Sequence, residues 1–117
     1  MRYLLLCLLF WVPLFAGGKA VPVGRDIVVA SYTVGGNCDQ CKKRIEDAAY
    51  VKGVKFAEWN VDTHSLVVKY DSSKTTPLTI LQNVAAAGHD NELVKATDAA
   101  YNQLPDCCRY REATKKH

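Results

Sequence analysis

The run Asp26 to Val34 (DIVVASYTV) alternates β-branched and small residues, stops at Gly35-Gly36, and leads directly into Asn37-Cys38-Asp39-Gln40-Cys41. Beyond it, apolar or small residues recur at Cys41, Ile45, Ala48 and Ala49, the spacing of one helical face. A strand that breaks at two glycines and restarts as a helix places both cysteines at the junction, since glycine reaches backbone angles that allow a sharp turn. Unpaired N–H groups and the positive end of the helix dipole favour negative charge there, so the position favours thiolates. Two sulfurs three positions apart, one in the loop and one on the first helical turn, can converge on a single soft ion. Such ligation suits Cu(I) or another thiophilic metal, whereas a structural zinc site asks for four ligands. A CxxC at a helix start is also the arrangement that exchanges disulfides, so a thiol-disulfide oxidoreductase is the rival chemistry.

The remaining pattern completes a fold. Lys52-Gly53 closes the helix over Gln40 to Tyr50, and Val54 to Val61 reads as a second strand with Ala57, Trp59 and Val61 on one side. The polar turn Asp62-Thr63-His64-Ser65 joins it to a third strand, Leu66 to Tyr70. Thr76-Pro77 starts a second helix with Leu78, Leu81, Val84 and Ala85 inward, and Gly88 stops it. Glu92 to Lys95 is expected as a short edge strand. The order is that of the ferredoxin-like βαββαβ arrangement, an α+β sandwich with two helices on one face of a four-stranded antiparallel sheet. No fold is legible in Ala96 to His117, which carries AYNQLPDCCRYR and a charged end.

At 117 residues, with 49% hydrophobic and 23% charged, the chain has room for one domain. Met1 to Ala20 reads as a cleaved signal peptide: Arg2 is the positive start, Leu4 to Phe15 is almost unbroken apolar sequence, and Gly18-Lys19-Ala20 carries small residues at the cut. That run is shorter than the roughly 20 residues needed to cross a bilayer, so no stable membrane insertion is expected after cleavage. The expected organisation is a signal peptide over 1–20, a domain over 21–95 and a cysteine-containing tail over 96–117, exported to a bacterial periplasm. Removing Arg2 and Lys19 from a formal charge of +3 leaves a nearly neutral chain. Its one basic run, Lys42-Lys43-Arg44, is answered by Glu46 and Asp47 and reads as a solvated helix face, which argues against nucleic acid. Of five cysteines, Cys7 leaves with the leader; Cys38, Cys41, Cys107 and Cys108 remain. Four cysteines in an exported protein also fit a small disulfide-stabilised structural protein.

The strand into GNCDQC, followed by KKRIEDA, VKGVKFAEWNVD, LVVKYD and LQNVAAAGHD, resembles the heavy-metal-associated domain family from about Ile27 to Val94. That family includes copper chaperones, N-terminal modules of copper-exporting ATPases and a periplasmic mercury-binding protein. The resemblance implies the βαββαβ fold and one ion held by Cys38 and Cys41 in a shallow loop: Cu(I) first, with Hg(II), Zn(II) or Cd(II) as alternatives. It also implies metal-donating or metal-accepting partners, such as membrane transporters, that exchange thiolate ligands one at a time, and it allows a metal-bridged dimer. Where the family has a methionine supporting the loop from the core, this chain has Gly36. Where the family places a residue beside the metal, this chain has His89, a candidate third ligand. Cys107 and Cys108 lie beyond the resemblance and are weaker ligand candidates, able to add thiolates to the first pair, bind a second ion or join it in a disulfide. His64 and His117 read as solvated. No Ser-His-Asp set or phosphate-cradling glycine loop is present, so a non-enzymatic role is expected.

Overall fold

A computed structural model describes residues 26–113, so the expected leader and His117 lie outside the described residues. The elements are β1 (Ile27–Thr33), α1 (Asp39–Ala49), β2 (Val54–Trp59), β3 (Ser65–Asp71), α2 (Pro77–Ala86), α3 (Asp98–Asn102), a 3-10 turn at Asp106–Cys108, and α4 (Tyr110–Ala113). β3 is the central strand. β1 and β2 flank it, both antiparallel, with Ala30 opposite Val68 and Leu66 opposite Trp59. The period-two rule puts Leu66, Val68 and Tyr70 on one face, where they are buried with Ala57 and Trp59 of β2. α1 and α2 close that face, contributing Cys41, Ile45 and Ala49 from one helix and Ile80, Leu81 and Val84 from the other to a single core. The side chain of Asn83 donates to the Ala48 carbonyl at 2.6 Å and ties the two helices together. Among the described residues, no helix is long and apolar enough to cross a membrane.

Local chemistry sets the element ends. Thr76 caps α2 by accepting from the Thr79 N–H at 3.2 Å, with Pro77 at the first helical position, as the sequence pattern anticipates. β2 stops at Trp59 rather than Val61 because the Asn60 carboxamide accepts from the N–H groups of Asp62 and Thr63, at 2.8 and 3.0 Å, and starts the hairpin turn early. Leu78, expected inward, is 49% exposed in the first turn of α2, and Ile80 takes its place in the core.

The expected fourth strand is a correction: the sheet among the described residues has three strands, and Glu92 to Lys95 is not one of them. Only a single bridge, Val34 with Asn91, marks where it would join β1. The cause is the Asn91 side chain, whose oxygen accepts from the N–H groups of Leu93 and Val94 at 3.1 and 2.9 Å. The Asn91 N–H itself donates to the Val94 carbonyl. These local bonds offer the backbone an alternative to a sheet ladder. The chain turns away and continues as the tail, which packs into the core through Tyr101, Leu104, Cys108 and Tyr110.

Candidate metal centre

Cys38 is the N-cap residue of α1 and Cys41 lies on its first turn, fully buried. Their sulfurs are 3.5 Å apart, and all four cysteines among the described residues are free thiols. The loop before them is shaped by Gly36. A Cβ there would meet the indole of Trp59 at 2.9 and 3.0 Å and the Cβ of Cys41 at 3.1 Å. The Trp59 ring is fully buried and its Nε1–H donates to the Val34 carbonyl at 3.0 Å. Trp59 thus fills, from β2, the space a side chain at position 36 would need. Its strand end is pinned to α1, since its backbone N–H donates to Glu46 and its carbonyl accepts from Lys42, both at 2.9 Å.

The tail brings a third sulfur. The Cys108 Sγ is 3.6 Å from that of Cys38, and the sulfurs of Cys38, Cys41 and Cys108 all lie within 4.8 Å of one another. Cys108 is buried, and Arg44 Nη1 donates to its sulfur at 3.2 Å. Arg44 therefore does not belong to a solvated face as the sequence suggests; one helical turn on from Cys41, it faces the thiols. Cys107 is exposed. Its thiol donates to Gln40 Oε1 at 2.9 Å, and its carbonyl accepts from Cys38 Sγ at 3.4 Å.

The thiols differ in acidity. Burial raises the Cys38 thiol, but the amides of Cys41 and Gln40 at the helix start, with the neighbouring thiols of Cys41 and Cys108, outweigh it and hold it below its ordinary value. Burial pushes Cys108 up to about 11, with Cys41 adding to the rise and Arg44 opposing it, and burial and the adjacent thiols raise Cys107 as well. Of Cys38, Cys107 and Cys108, the first to carry negative charge is therefore Cys38.

His89 is not among the residues whose ligand atoms gather within 4.8 Å of one another, which are Cys38, Cys41 and Cys108. It is fully buried, its ring stacks on Tyr110 at 5.4 Å, and its Nδ1 is 2.7 Å from the Gly35 carbonyl, which can only accept, so Nδ1 carries the proton. Nε2 is buried with no hydrogen-bond partner among the described residues. Burial lowers its basicity, with the Arg44 charge adding to the effect, so the ring is neutral near pH 7. His64, in the hairpin turn, is exposed and stacks on Trp59 at 5.7 Å. Sequence reasoning missed Arg44 and Trp59 as parts of the site. The i, i+3 spacing of Cys41 and Arg44 is the one signal that points to the former.

Comparison with known proteins bears on this geometry. No curated protein matches the chain. Among solved structures it is similar to the CopZ metallochaperone, at 27% identity over 55% of this chain and 98% of that one, with a TM-score of 0.53. It is similar also to oxidized MerP from Ralstonia metallidurans CH34, at 25% identity over 56% of this chain and 94% of that one, with a TM-score of 0.54. The family model of the heavy-metal-associated domain matches residues 32–90, a span that contains β1's end, both loop cysteines and His89 and stops short of the tail. With half its length in that match and a thiol pair at the start of α1, the chain belongs to the heavy-metal-associated domain family.

Proposed function

We propose that this protein is an exported, non-enzymatic carrier of a thiophilic ion, Cu(I) in the first instance, which Cys38 and Cys41 hold and pass to or from metal-transporting partners. The observation that carries the reading is the pair of free sulfurs 3.5 Å apart at the start of α1, one of them with a lowered thiol pKa. Soft d10 cations prefer such thiolates over oxygen donors. The likeness to CopZ, a metallochaperone, supports copper; the likeness to MerP keeps mercury as an alternative. Export rests on the leader-like run from Met1 to Ala20.

Competition for Cu(I) between the reduced protein and a chromophoric chelator tests the reading. One Cu(I) per chain is expected, and Cys38→Ser or Cys41→Ser should abolish tight uptake. Unchanged uptake in those variants would refute the assignment. Turnover of a scrambled disulfide substrate without metal retention would replace it with a thiol oxidoreductase.

A further inference from the structure

Outside the family match, the tail is built to stay where it is. Tyr110 Oη donates to the Gly88 carbonyl at 2.8 Å and accepts from the Asp90 N–H at 2.7 Å. Arg111 forks onto Asp90 with bonds of 2.9 and 2.7 Å, reaches the Ala96 carbonyl, and lies over the Tyr101 ring at 4.3 Å from its centroid. Leu104 packs over Gly88. These contacts hold the 3-10 turn so that the Cys108 sulfur points inward at the loop thiols while Cys107 is exposed.

The spacing of the sulfurs is informative. At a metal–thiolate distance near 2.3 Å, two sulfurs on opposite sides of an ion stand about 4.6 Å apart, whereas three around it in a plane stand about 4 Å apart. Cys38 stands 3.5 and 3.6 Å from Cys41 and Cys108, and all three sulfurs lie within 4.8 Å of one another, so a small adjustment lets all three reach one ion. Three thiolates around a monovalent or divalent cation leave net negative charge in a buried place, and burying uncompensated charge is costly. Arg44 supplies one compensating positive charge at 3.2 Å from Cys108.

We propose that Cys108 is a third ligand, supplied by the tail, so that the chain encloses its ion in a three-sulfur site with Arg44 as counter-charge. This rests on the assignment of Cys38 and Cys41 as ion ligands and extends it. On binding, each thiol still protonated loses its S–H proton to solvent as its sulfur–metal bond forms. The ion's previous ligands leave, and no electrons are transferred. An ion so held ties the tail to the loop, and a partner's thiol meets the half-exposed Cys38 side of the site before the buried Cys108.

X-ray absorption on the full chain loaded with one Cu(I), with native mass spectrometry to establish one chain per ion, tests this. Wild type and Cys107→Ser are expected to show three sulfur neighbours. Cys108→Ser and Cys108→Ala should show fewer and bind Cu(I) more weakly, by at least the ten- to hundredfold lost when an outer partner of a metal ligand is removed. Two sulfur neighbours in the wild type, or three retained in both Cys108 variants, would overturn the third ligand while leaving the carrier reading intact. A third sulfur contributed by a second chain, seen as a two-chain mass, would overturn it equally. No uptake by the wild type would remove both. Using two substitutions at Cys108, checked for native amide spectra, separates ligand loss from misfolding.

Discussion

At the scale of single residues, Gly36 and Trp59 form one unit. The family's supporting methionine is absent, and the buried Trp59 indole packs where a Cβ on residue 36 would fall. Gly36→Met should therefore destabilise the domain by about 1–3 kcal/mol, the usual cost of overpacking a filled site. Combining it with Trp59→Leu should recover part of that loss, because the two changes share one volume. Urea unfolding of the four species of this cycle measures the coupling; strict additivity would show that the indole does not occupy the space. The residue scale is also where sequence reading was least complete. Cys38 and Cys41 are legible from their spacing and place at a strand–helix junction. Arg44 is not, because a basic residue beside Glu46 and Asp47 looks solvated until a tail from 64 positions away is laid against it.

Among the elements, the replacement of a fourth strand by the tail is the main departure from expectation. The type and order of the first five elements follow from periodicity and turn chemistry, and their ends fall within two residues of the expected ones. The run from Glu92 to Lys95 has a strand-like composition, but two side-chain acceptors bend it: Asn91 takes the N–H groups of Leu93 and Val94, and Asp90 takes that of Ala96 at 2.8 Å. The same Asp90 then grips Arg111, so the turn that ends the family match also anchors the tail. Arg111→Ala should cost about 1–3 kcal/mol, as expected for losing hydrogen bonds between charged groups. It should also raise amide exchange over 98–113 and the rate at which Cys108 is alkylated. Unchanged exchange there would mean that Tyr110 and Leu104 suffice to hold the segment.

The whole molecule responds to pH through the two neighbours His89 and Asp90. For His89, burial chiefly, with the Arg44 charge, depresses the folded-state value below 6.5, against the opposing pull of the Gly35 carbonyl and Asp90. The unfolded chain then binds the proton more readily, so this contribution is complete above about pH 6.5 and declines as pH falls from there toward the folded value. For Asp90, burial works upward, but the Arg111 and Ala96 donors and the Arg111 and Lys95 charges outweigh it and hold the carboxyl below 3.8. Its contribution is present above about pH 3.8 and is lost as pH falls through the lower folded value. Urea midpoints should therefore decline between pH 7 and pH 5 in the wild type and less steeply in His89→Gln; equal slopes would mean that His89 is protonated without penalty. Taken by itself, the sequence determined what depends on neighbours along the chain: the strand and helix periods, the proline-started second helix, and a thiol pair at a helix N-terminus. The tertiary structure alone decided that Cys108, Arg44 and Trp59 meet that pair. Their approach depends on how a turn at Asp90 and Asn91 redirects the chain and on which ring fills the space beside Gly36, and both are set by packing between segments far apart in sequence.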